Sequence, residues 1–269
     1  MTTNIYTHEV RLKMRSVLIW SLSIAALIFF FFSVFQSFAG QAELTNRLME
    51  KFPEELKIAF GLNHMDMSTV LGFFSLVYGF TMLCVAIQAG NFGFGLVSIE
   101  ESELTADFLL TKPVSRVRIL TSKLLAALTA MLITNLVISL AAAAAISINK
   151  GDRTYDTTTL ALLLVGLLLF QIFFLCVGLV ISLVVKRIHN VTPYSLGLAF
   201  AAYVLNAFSG IFGDVKLEYI TPFKHFDPYY VLEHKAFDGR LLILNICISI
   251  IAAAVSYWLY THRDIHAVS

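Results

Sequence analysis

Polar and apolar positions along this chain fall into long blocks rather than short alternations. Six continuous apolar runs, at 17–39, 68–89, 121–148, 160–185, 194–212 and 241–260, are separated by polar stretches. A helix needs ~20 apolar residues to cross a bilayer core of about 30 Å, and every run comes close to that or exceeds it. The pattern predicts an all-α polytopic membrane protein, with six transmembrane helices forming a single transmembrane domain over 1–269. A closed β-barrel is excluded, because its strands would alternate in polarity.

Composition points the same way. Of 269 residues, 58% are hydrophobic and 14% charged, and the mean hydropathy is +0.79. A soluble domain carries about 25% charged residues. The net charge of +1 gives no case for nucleic acid as a partner. Cys84, Cys176 and Cys247 lie inside apolar runs, with neither a disulfide nor a metal spacing, and read as small core residues.

The polar stretches punctuate the spans. Residues 1–16 are a basic lead-in, read either as an interfacial helix or as a solvated flank. Arg11, Lys13 and Arg15 before an apolar run resemble a signal peptide, and Ser37-Phe38-Ala39 loosely fits a cleavage site. The run 17–39 exceeds an ordinary signal core, so it reads as an uncleaved first span. Segment 40–67 predicts short surface helices broken at Pro53. GNFGFG at 90–95 predicts a flexible exit from the second span. Pro193 opens the fifth span at a first-turn position, where its missing N–H costs nothing. Phe223, Phe226, Tyr229 and Tyr230 predict an interfacial aromatic belt, and the nearby His225 and His234 make a poor metal site without a third ligand.

Six spans put both termini on one side. The 19 Lys and Arg residues divide almost evenly between the two sides. The tight clusters at Arg11/Lys13/Arg15 and Lys186/Arg187 decide for cytoplasmic termini in the cell membrane. The loop between spans two and three then also faces the cytoplasm.

That loop is the most patterned part of the chain. Within EESELTADFLLTKPVSRVRILTSKLL at 100–125, Glu100, Glu103 and Asp107 are spaced to share one helix face. Glu101, Leu104 and Phe108 share another. The acids are placed in the first turns of a helix, where they complement its dipole. Pro113 stops the helix near Thr111. Ser115 then caps a new helix, accepting an N–H around Val117 or Arg118. Arg116 and Lys123 are expected to snorkel at the interface.

This segment resembles the loop between spans two and three of type-2 ATP-binding-cassette (ABC) exporter permeases. The matching residues are Glu100-Glu101, Thr105, Phe108-Leu109-Leu110, Pro113-Val114-Ser115-Arg116 and Lys123-Leu124-Leu125. Leu104 and Ser122 stand where the family often has glycine. Pro53–Gly61, Thr221–Leu232 and the final Tyr260 with Arg263-Asp264-Ile265 are also similar to family segments. The resemblance implies a coupling helix over 100–112 seated in a groove of a separate ATPase subunit. It also implies two such ATPases and a second permease, identical or homologous. Lipid is the remaining partner, and ATP with magnesium is expected on the ATPase, with no cofactor in this chain.

No G-x-x-x-x-G-K-[ST] or H-E-x-x-H occurs, and no catalytic or metal-ligating set is assembled. The central parts of the spans carry no Asp, Glu, Lys or Arg, which argues against an ion-driven carrier. Gln88, Asn135, Gln171, Asn206 and Asn245 are the polar candidates for a substrate path, with helix–helix hydrogen bonds the favoured alternative. The leading expectation is the permease of an exporter for an amphipathic substrate: a peptide, a drug or a lipid-like molecule. The alternative is a non-transporting scaffold or sensor that recruits a cytoplasmic partner.

Overall fold

A computed structural model describes residues 2–41, 51, 53–54, 57, 66–102, 114–185, 188–212 and 215–262. Among these residues every regular element is a helix. In chain order they are α1 Thr2–Gly40, α2 Val70–Ser102, α3 Arg116–Asn149, α4 Thr157–Val184, α5 Val191–Phe212, α6 Val215–Ile220, α7 Pro222–His225, α8 Pro228–His234 and α9 Gly239–His262. Six of them, α1 to α5 and α9, are long and apolar enough to cross a membrane. The fold is all-α and polytopic.

Helix ends follow local chemistry. Asp156 caps α4 by accepting from the Thr158 N–H at 3.0 Å. Asn190 does the same for α5 through Thr192 at 3.1 Å. Pro193 falls in the first turn of α5, among N–H groups that have no helical partner. Arg153, between α3 and α4, donates from Nη2 to the Ala39 carbonyl at 3.0 Å and so satisfies the end of α1.

Long-range contacts set the helix directions. Tyr6 meets Thr129 at 2.8 Å, and Ala39 meets Arg153 beyond the end of α3. Hence α1 and α3 run side by side in the same direction. Gly166 sits against Tyr78, and Gly178 against Gly90, so α2 and α4 also run in parallel. Helix α9 packs on α4, and α5 on α2. Between α1 and α2 the core is aromatic: Phe35 and Phe32 lie 5.1 and 5.5 Å from Phe73, centroid to centroid.

Three expectations change. Residues 2–16 are not a separate interfacial helix. They continue α1 without a break, stiffened by a Lys13–Glu9 ion pair one turn apart at 2.7 Å. The GNFGFG segment is not an exit loop, because α2 runs through it to Ser102. Phe223 and Phe226 are not an interfacial belt. They are buried, with Phe170 4.9 Å from Phe223 and 6.1 Å from Phe226. Most of the surface segment expected at 40–67 lies outside the described residues.

Helices α1, α2 and α3 contain 39, 33 and 34 residues. At 1.5 Å per residue they are roughly 50–58 Å long, well beyond the ~30 Å hydrocarbon core. The end of α2 and the start of α3 lie together at one end of the bundle, because Leu96 meets Lys123.

Candidate functional site

At that end, α3 is tied to two neighbours. Ser115 caps it, its Oγ accepting from the Arg118 N–H at 3.4 Å. Two turns in, Lys123 is 2% exposed, and its Nζ donates to the Leu96 carbonyl of α2 at 2.7 Å. The expected snorkelling does not occur: the side chain turns inward between helices. An ammonium removed from water must find acceptors, and a main-chain carbonyl has a second lone pair to offer. On the other flank, Arg116 Nη1 stands 3.5 Å from the carbonyl oxygens of Tyr260 and Thr261. Both carbonyls belong to α9. Thr121 Oγ1 and the Tyr257 hydroxyl are 2.7 Å apart. The first turns of α3 therefore form a joint with α2 and α9.

Deeper in the bundle the amides of three helices form a directional chain. Asn135 of α3 donates to the Gln171 Oε1 of α4. Gln171 Nε2 donates to Gln88 Oε1 of α2 at 3.2 Å. Gln88 Nε2 donates to Thr134 Oγ1 at 2.9 Å, and the Thr134 hydroxyl donates to the Ala130 carbonyl at 3.1 Å. Gln88, Thr134 and Gln171 are fully buried. Asn135 starts the chain as a donor, and Gln171, Gln88 and Thr134 each accept from one neighbour and donate to another, an arrangement in which the bonds polarise one another.

A third polar contact holds the short helices α6 to α8. His225 is buried, and its Nδ1 accepts from Asn245 Nδ2 of α9 at 3.2 Å. Its Nε2 is 3.3 Å from the Tyr219 carbonyl and must carry the proton, so one neutral tautomer satisfies both contacts. Burial holds its pKa below the ordinary range, outweighing the backbone and Asp238 contributions that raise it. Nearby, the Asp156 carboxyl is held below its usual range by hydrogen bonds from Thr159, the Thr158 N–H and Lys235.

The pH sign follows. A histidine kept neutral by folding gives full stability above its ordinary pKa of about 6.5, and that stability is lost as pH falls below it. Acidification is therefore expected to lower the thermal midpoint of the detergent-solubilised protein and to expose 216–238 to protease. His225→Gln should flatten that dependence between pH 5 and 7.5. An equal acid sensitivity in the variant would locate the effect elsewhere.

The ABC-2 family transporter protein model matches residues 3–265. The chain belongs to the ABC-2 transporter family. It is a multi-pass ABC permease subunit. No curated protein sequence matches the chain.

In this ABC-2 permease the predicted coupling residues divide into three groups. Glu103, Leu104, Asp107, Phe108 and Pro113 lie outside the described residues. Glu100 and Glu101 belong to α2, which runs on to Ser102, rather than opening a separate helix. Ser115, Arg116 and Lys123 belong to the α3 joint. Of the candidate path residues, Gln88, Asn135 and Gln171 are joined inside the permease, and Asn245 is bound to His225. Asn206 is half-buried on α5 and joins neither group.

Sequence reading missed Thr134, Thr121, Tyr257 and the helix-packing glycines. A β-carbon at Gly93 would stand 2.4 Å from the Leu175 carbonyl oxygen, and one at Gly90 2.9 Å from Ser195 Cβ. The detectable signal was the pairs Ala86/Gly90 and Ala89/Gly93, each four residues apart, the small-residue spacing by which membrane helices approach closely.

Proposed function

We propose that this chain is the permease of an ABC exporter that carries an amphipathic substrate across the cell membrane. It pairs with a second permease, identical or homologous, and with two copies of a separate ATPase. The termini and the α2–α3 connection face the cytoplasm, and the 100–112 stretch docks in a groove of the ATPase. The observation that carries this reading is the family match over 3–265. The geometry supports it, since α2 and α3 flank 103–113 and are bonded to each other just beyond it. ATP and magnesium belong on the partner, which supplies the hydrolysis.

The test is co-purification with the ATPase followed by measurement of its hydrolysis rate. Phe108→Ala removes an apolar anchor and Glu103→Lys reverses a charge. Each is expected to weaken association by roughly 2 kcal/mol, about thirtyfold, while leaving membrane insertion intact. Normal assembly in both variants would refute docking through this stretch. Co-purification without any effect on hydrolysis would favour the scaffold alternative.

A further inference from the structure

We propose that Lys123 is the positioning residue of a three-helix joint that makes α2, α3 and α9 move as one body when the ATPase moves the α2–α3 connection. The inference rests on the coupling reading above and goes beyond it, because it concerns what happens after docking. Lys123 sits inside the bundle at 2% exposure, so its part is internal rather than at the surface met by a partner.

Placing a lysine there carries a desolvation cost. A leucine at this position would bury its side chain without desolvating a charge. A buried ammonium is weak evidence for stability, but it fixes geometry, because it must stay on its acceptors. One acceptor is the Leu96 carbonyl, 2.7 Å away, on the helix that enters the connection. Lys123 itself lies on the helix that leaves it. Any displacement of 103–113 that separated α2 from α3 would break this charge-assisted bond within the bundle. The displacement is therefore shared by both helices.

The second half of the joint is independent of the first. Arg116 lies 3.5 Å from two carbonyls of α9, and Thr121 lies 2.7 Å from the Tyr257 hydroxyl. These contacts bring α9 into the same block. Helix α9 in turn packs along α4 and holds His225 of the α6–α8 segment through Asn245. A push at one end of the bundle thus has a bonded route to the segment at the other end.

The experiment is hydrogen exchange on the full chain bound to its ATPase, with and without ATP, magnesium and vanadate. In the wild type, 93–99 of α2, 116–123 of α3 and 256–262 of α9 are expected to change together, each by about threefold or more in rate. In Lys123→Met the response of 116–123 should persist while that of 93–99 falls to a third or less, at ~30% of wild type. Lys123→Arg keeps the charged donor and should restore most of the α2 response. An undiminished α2 response in Lys123→Met would overturn the joint. No response in 116–123 of the wild type would overturn the coupling reading, and the joint with it. If Lys123→Met does not accumulate, Lys123→Gln, shorter and uncharged but still polar, takes its place; an undiminished 93–99 response in it overturns the joint.

Discussion

Gly93→Ala is expected to destabilise the detergent-solubilised protein by about 3 kcal/mol, at the upper end of the range for overpacked cores. The added carbon would stand 2.4 Å from the Leu175 carbonyl oxygen and 3.1 Å from the Leu179 nitrogen. Both are backbone atoms of α4, which no rotamer change can move aside. Helices α2 and α4 must therefore separate, and the separation reaches Gln88 and Gln171 on the same pair of helices. Gly79→Ala is the control, because nothing stands within 4 Å of its β-carbon. It should gain up to about 1 kcal/mol from helix propensity. Thermal unfolding of the two variants side by side checks the claim. Equal behaviour would mean that the α2–α4 contact is not closely packed at Gly93.

The same glycines show where sequence reading stops. The six spans were legible because continuous apolar blocks report a property of each segment by itself. GNFGFG was misread because glycine in a water-soluble loop signals a turn, whereas in a membrane helix it permits close approach. Choosing between those meanings requires knowing that Leu175 lies opposite Gly93. Lys123 poses the same problem. A lysine near a span end snorkels on a lipid-facing side and turns inward on the other, and only the position of α2 says which side this is. Phe223 and Phe226 read as a belt because they follow a span. The return of α7 onto α4 and α5, which buries them, depends on contacts far apart in sequence. The Ser115 cap, in contrast, was readable because a cap acts over three residues.

Gln171→Leu is the second large effect, expected at about 2 kcal/mol. Each membrane hydrogen bond is worth ~0.6 kcal/mol and at most about 1.7, and Gln171 makes one with Asn135 and one with Gln88. The larger part of the cost comes from what is left behind. Gln88 Oε1 would lose its donor at a site where Gln88 is fully buried. Stranding one buried polar group costs roughly 1–3 kcal/mol. Asn135 is less exposed to this loss, because its Nδ2 also donates to the Met131 carbonyl at 2.9 Å. The asymmetry supplies the test. Adding Gln88→Leu to Gln171→Leu removes the stranded amide, and Thr134 keeps its own bond to Ala130. The double variant should therefore unfold at nearly the same temperature as Gln171→Leu, or above it. If the two substitutions add, the amides act separately and the chain across α2, α3 and α4 is not a unit. If they do not, the junction holds three helices in register midway along the bundle, while the Lys123 joint holds them at its end.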